Sequence, residues 1–152
     1  MKNKLTADQN RTIESALNIL RENAPKYDIS LTSSTATEAF CSLRLAACEN
    51  EQFLVLFLNS QHQVIADEIL FTGTIDSASV YPREVVKAAL RHNAAALILA
   101  HNHPSGIPEP SQADIRLTKR VKDAAELLDI SVLDHVIIAG SSSHSFAEHG
   151  QM

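Results

Sequence analysis

The chain has 152 residues, 45% of them hydrophobic, and a formal net charge of -5 with histidine neutral. That is enough length to bury one core without a second domain. The acidic balance and the lack of a long basic run argue against direct nucleic-acid binding. No stretch approaches the roughly 18 apolar residues of a membrane span, and the polar opening from Met1 to Asn10 offers no apolar signal core, so a cytoplasmic protein is expected.

In chain order, Ile13, Ala16, Leu17 and Leu20 recur at helical spacing and predict a helix over residues 7–22. Residues 23–33, with Pro25, break the pattern. Thr35 and Glu38 form a capping-box signature for a second helix reaching about Ala47. Cys41 and Cys48 would share the apolar face of that helix as buried free thiols. The unbroken apolar run Phe53 to Leu58 predicts a strand covered on both faces. A turn over residues 59–62 then leads into a hairpin partner from Val64 to Thr72.

Pro82 suits the first turn of a helix reaching about His92. A short apolar strand follows from Ala94 to Ala100, then a long amphipathic helix from Ser111 to Leu128 and a strand from Val132 to Ala139. The helix carries the densest basic cluster, Arg116, Lys119, Arg120 and Lys122, read as a solvated face. A last short strand is expected near residues 145–147, after a turn over residues 140–143. Strands and helices interleave, which predicts an α/β domain: one mixed sheet sandwiched by helices over residues 32–152, with a helical extension over residues 1–31.

Between the third predicted strand and the long helix stands His101-Asn102-His103-Pro104, followed by Ser111 and Asp114. At a strand end, side chains two apart point the same way, so the two imidazoles can converge while Asn102 faces away. Pro104 favours extended geometry at His103, and Pro108 and Pro110 stiffen the loop that returns to the helix. Ser111 and Asp114, three apart at a helix start, share a face. By themselves they also read as an ordinary N-terminal cap. Together, His101, His103 and Asp114 make an imidazole and carboxylate set suited to zinc with one position left for water.

Such a site needs a base for its water. The acids near predicted strand or helix starts are Glu49, Glu51, Asp67, Glu68 and Glu84; Glu51 stands directly before the buried strand, while Glu84 is explained by its helix dipole. His135 reads as structural or as a support to a ligand, and His62, His92, His144 and His149 as surface residues. The H-x-E and P-C-x-x-C pattern of zinc deaminases is absent.

The metal string resembles the JAMM motif of the JAB1/MPN metalloprotease superfamily. The wider text, including Phe53-Leu-Val-Leu-Phe-Leu-Asn59, Tyr81-Pro-Arg-Glu-Val85 and Leu133-Asp-His-Val-Ile137, resembles its RadC-like branch over roughly Thr32 to Gly150. The resemblance implies a single JAB1/MPN-like domain with His101, His103 and Asp114 as zinc ligands. It also implies Ser111 as the hydroxyl that bonds the substrate carbonyl, and Glu51 as general acid/base, with Glu49 the competing register. The implied activity is hydrolysis of a peptide or isopeptide bond in a peptide or protein substrate. A non-catalytic MPN-like interaction module and a DNA-repair or mobile-element accessory protein are the alternatives. Longer RadC-like proteins carry a helix-hairpin-helix region, whereas about 30 residues precede the match here, which again argues against direct DNA contact.

Overall fold

A computed structural model of the protein describes residues 4–23, 29–74 and 80–152. The expected break at Pro25 and most of the loop after Gly73 lie outside the described residues. The element order is α1 (Ala7–Asn23), α2 (Ser34–Leu45), β1 (Gln52–Leu58), β2 (Val64–Thr72), α3 (Pro82–Arg91), β3 (Ala96–Asn102), α4 (Gln112–Glu126), β4 (Ser131–Ala139) and β5 (Ser142–Ser145). The strands form one five-stranded sheet in the order β2-β1-β3-β4-β5. It is mixed: β3 and β4 are parallel, joined through α4, and the other neighbours are antiparallel.

Alternation along the central strands divides the core in two. Phe53, Val55, Phe57, Leu97 and Leu99 face one side, where Val85, Ala88 and Ala89 of α3 and Leu117, Val121 and Ala125 of α4 cover them. Leu54, Leu56, Leu58, Ile98 and Ala100 face the other, under Cys41 and Leu45 of α2. This double cover is why β1 reads as an unbroken apolar run. The α/β sandwich predicted from the interleaved elements is the observed architecture.

One irregularity in β4 bears on the site. Leu97 pairs with Val132 but Ile98 pairs with Asp134, so Leu133 is an extra residue in the ladder. A bulge of this kind shifts the alternation downstream by one position. Past it, His135 pairs with Leu99 on the α3/α4 side, while Val136 and Ile138 join the α2 side.

Several local details differ from the sequence expectation. The cap of α2 is Ser33, whose hydroxyl accepts from the Ala36 N–H; Glu38 instead accepts from the Ser143 hydroxyl. Because α2 ends at Leu45, Cys48 lies beyond it and is half-buried, while Cys41 is fully buried. β3 runs to Asn102, two residues beyond the expected end. Gly140 and Ser141 alone turn the chain into β5, which therefore begins earlier than expected. His92 is half-buried, its ring 4.5 Å from that of Phe57. Of the apolar stripe of α1 only Leu17 is buried, while Leu20 faces an apolar groove shared with Phe40 and Leu43 of α2.

Candidate metal centre

The end of β3 and the start of α4 meet on the α3/α4 side of the sheet. His101 is the penultimate residue of β3, on the same face as Leu97 and Leu99, and His103 follows the strand end. The loop returns through Pro108 and Pro110 to Ser111, the N-cap of α4. There Ser111 accepts from the Asp114 N–H at 3.1 Å, and Asp114 Oδ2 accepts from the Ser111 N–H at 2.8 Å. The cap and the ligand reading of these two residues coexist: the capping box is what holds the Asp114 carboxylate towards the imidazoles.

His101 Nε2 and His103 Nε2 lie 2.9 Å apart. Asp114 Oδ1 is 3.3 Å from the first and Oδ2 is 3.3 Å from the second. His101 and Asp114 are buried and His103 is partly so. These three residues form a group that could hold a metal ion.

Counting protons shows what the group lacks. His103 Nδ1 lies 2.8 Å from the Ile107 carbonyl, which can only accept, so Nδ1 carries a proton and the neutral ring has a bare Nε2. The Thr118 hydroxyl donates its single proton to the Asp114 carbonyl at 2.7 Å. It must therefore accept from His135 Nδ1, 2.5 Å away. His135 Nε2 is then an acceptor and takes the proton of His101 Nδ1 at 2.8 Å. His101, too, has a bare Nε2. Two lone pairs and a carboxylate thus converge with no proton among them, an arrangement that needs one positive charge: a proton on His103 or a metal ion.

The acid–base balance points the same way. The pKa of His103 is raised from its ordinary value, first by its hydrogen bond with Asp114, then by the Ile107 carbonyl and the charges of Asp114 and Glu51, with burial opposing. Burial alone would raise the Asp114 carboxyl, but its contacts with His101 and His103 and the Ser111 N–H hold it well below the usual carboxylate range. His135, wholly buried, is pushed well below its ordinary value, chiefly by desolvation and then by His101, which keeps it neutral. Its ring is stacked on Phe146 at 4.7 Å and met edge-on by Phe53 at 5.9 Å.

Glu51 is half-buried and lines a cleft of about 370 Å³ with Glu49, Asn50, Gly73, Thr74, Pro104 and Ser105. Its charge is felt at His103. The rival acids are committed elsewhere: Asp67 pairs with Arg44 at 3.1 Å, Glu68 with Arg91 at 2.7 Å, and Glu84 lies near Arg83 and Lys87. Glu49 is mostly exposed and pairs with Lys4 at 3.1 Å. Ser111 is exposed at the start of α4. In the basic cluster of α4, Lys119 and Lys122 are paired with Asp123 and Glu126 one turn on.

Two residues of the site escape sequence reasoning. Asn102 does face away from the histidines, yet it is buried and has three partners: its Oδ1 accepts from the Gln52 N–H at 2.7 Å, and its Nδ2 donates to the carbonyls of Asn50 at 3.0 Å and Cys48 at 3.3 Å. It ties the segment carrying Glu51 to the strand carrying His101. A polar residue in an otherwise apolar strand is the signal that marks it. Thr118 gives no comparable signal, being one of several polar residues on an amphipathic helix.

The RadC-like JAB domain family matches residues 31–151. A UPF0758 protein of Vibrio parahaemolyticus is 56% identical over 138 residues, covering 91% of this chain and 61% of that protein. One from Vibrio cholerae is 54% identical over 144 residues, covering 95% of this chain and 90% of that protein. Another, from Escherichia coli K12, is 50% identical over 140 residues, covering 92% and 88%. The chain thus spans about three fifths of the length of the longer relatives and about nine tenths of the shorter ones. With a family match across most of its length and relatives at these identities, the chain belongs to the RadC-like JAB domain family.

Proposed function

We propose that the protein is a zinc-dependent metallohydrolase that cleaves a peptide or isopeptide bond. The observation that carries this reading is the convergence of two bare imidazole nitrogens and a carboxylate, each fixed by its own hydrogen bonds. Ligand atoms around a tetrahedral zinc stand about 3.3 Å apart, and the separations here run from 2.9 to 3.3 Å. Nitrogen and oxygen donors suit zinc. His101, His103 and Asp114 would hold the ion, three protein ligands being the pattern of a catalytic rather than a structural site.

Zinc held there supplies Lewis acidity, polarising a carbonyl and lowering the pKa of water to about 7. Glu51, at the cleft beside His103, accepts the proton of the attacking water and returns it to the departing amine. The Ser111 hydroxyl, exposed at the α4 N-terminus, donates to the carbonyl oxygen as negative charge grows on it. Asn102 holds the Glu51 segment in register with the ligand-bearing strand.

The test is metal quantification and turnover on the same preparations, using a library of peptide and isopeptide substrates. Wild type should carry about one zinc per chain; Glu51→Gln should keep the metal and lose turnover; Asp114→Ala should lose the metal. Absence of tightly held metal in wild type, or full activity in Glu51→Gln, would overturn this reading.

A further inference from the structure

The relay behind His101 forms a closed circuit. Starting at Asp114, the main-chain carbonyl accepts from Thr118 at 2.7 Å, Thr118 accepts from His135 at 2.5 Å, and His135 accepts from His101 at 2.8 Å. His101 Nε2 then faces the Asp114 carboxylate at 3.3 Å, the one link of the circuit that carries no proton. Every donor direction in the circuit is set by one group that cannot donate, the Asp114 carbonyl. The helical carbonyl of one ligand-bearing residue thereby dictates which nitrogen of the other carries a proton.

We propose that the Thr118–His135 pair is a tautomer-setting positioning device. It holds His101 with Nδ1 protonated and Nε2 bare, and so keeps the site ready for a cation. A neutral imidazole has two tautomers close in energy, and in water neither would be reliably chosen; beside a carboxylate, the tautomer with a proton on Nε2 is the one favoured locally, because it would donate to Asp114. That is the wrong form for a ligand. The relay opposes this preference by offering His101 Nδ1 an acceptor that has no other option. His135 can play that part because its pairing with Leu99, past the Leu133 bulge, places it on the α4 side, and because Phe146 and Phe53 hold its ring plane. A lone acceptor in place of His135 would orient His101 equally well, but it would not connect that choice to the helix that presents Asp114.

The inference rests on the metal reading only for the second of its two measurements. The first is long-range 1H–15N correlation of labelled histidine in metal-free protein, at a pH where the imidazoles are neutral, which assigns each ring's tautomer directly. Wild type and Thr118→Ser should show His101 protonated at Nδ1. Thr118→Val, which keeps the volume and removes the hydroxyl, frees His135 to donate from Nε2 and should move His101 to the other tautomer. His135→Leu removes the acceptor from the other end and should do the same, so either variant decides the matter if the other does not fold. The second measurement is zinc affinity by chelator competition. Thr118→Val should weaken it about 10- to 100-fold, the usual effect of losing a group that orients a ligand, with Thr118→Ser restoring it. A folded Thr118→Val or His135→Leu protein that keeps His101 protonated at Nδ1 would overturn the proposal. If wild type held no zinc while the tautomers shifted as described, the metal reading would fail and the relay would stand.

Discussion

The side-chain carbonyl of Asn102 accepts the N–H of Gln52 at 2.7 Å, across 50 positions of sequence. Its amide donates to the carbonyls on either side of Glu49, those of Asn50 and Cys48. The strand end that carries the histidines therefore also fixes the backbone from which Glu51 projects, a segment held on its other side by the bond from the Gly73 N–H to the Glu51 carbonyl.

Replacing Asn102 by Ala should leave the metal ligands in place and loosen this segment. Zinc content should match wild type while turnover falls, and the Gln52 amide should lose its hydrogen-exchange protection. The stability cost should be about 1–3 kcal/mol, since a buried donor and two carbonyls lose their partner. Unchanged protection at Gln52 would show that the β1–β3 ladder alone holds the segment.

Asp114 serves two functions that substitution can separate. Asn at this position retains an oxygen able to accept from the Ser111 N–H but lacks the charge for the ion. Asp114→Asn should thus lose zinc while the metal-free protein melts close to wild type. Asp114→Ala should lose zinc and also the reciprocal half of the capping box, the bond from the Ser111 N–H, lowering the stability of metal-free protein by about 1 kcal/mol. Calorimetry on metal-stripped samples makes the comparison.

The two cysteines should differ in reactivity. Burial, with the charges of Asp134, Asp67 and Glu38, pushes the Cys41 thiol up to about 12, so almost no thiolate exists at neutral pH. Cys48 is raised by partial burial, against which Arg44 acts. Under native alkylation at pH 8, peptide mapping should find label on Cys48 and none on Cys41 until denaturant is added.

Leu45 is fully buried where α2 crosses the sheet, and Leu127 is 85% exposed after α4. Leu45→Ala should cost about 2–5 kcal/mol in urea unfolding, and Leu127→Ala less than about 0.5 kcal/mol.

What could be read in advance follows how local each signal is. The run Phe53 to Leu58 announces a doubly covered strand because burial on both faces leaves no polar position. The histidines, Ser111 and Asp114 announce themselves because strand and helix periodicity place them without knowledge of the rest of the fold. The same local logic misplaced the α2 cap: Thr35 and Glu38 have the right spacing, but Ser33 lies two residues earlier and Glu38 is drawn to Ser143, 105 positions away. Among the acids, Asp67 and Glu68 could be set aside only once Arg44 and Arg91 were seen to hold them. The role of Thr118 depends on His135, and the connections of Asn102 on the β1 end, partners that only the sheet brings together.

The extra residue in β4 gives that strand two parities. Upstream of Leu133 the odd and even positions face one pair of surfaces, and downstream they have exchanged. What keeps His135 on the α3/α4 side is its pairing with Leu99, and the unpaired Leu133 absorbs the mismatch with the upstream half. Loss of Leu133 with those pairs kept would leave the relay whole, whereas a one-residue slip of the downstream half against β3 would turn His135 towards α2 and empty the relay of its middle member while every ligand remained in the sequence.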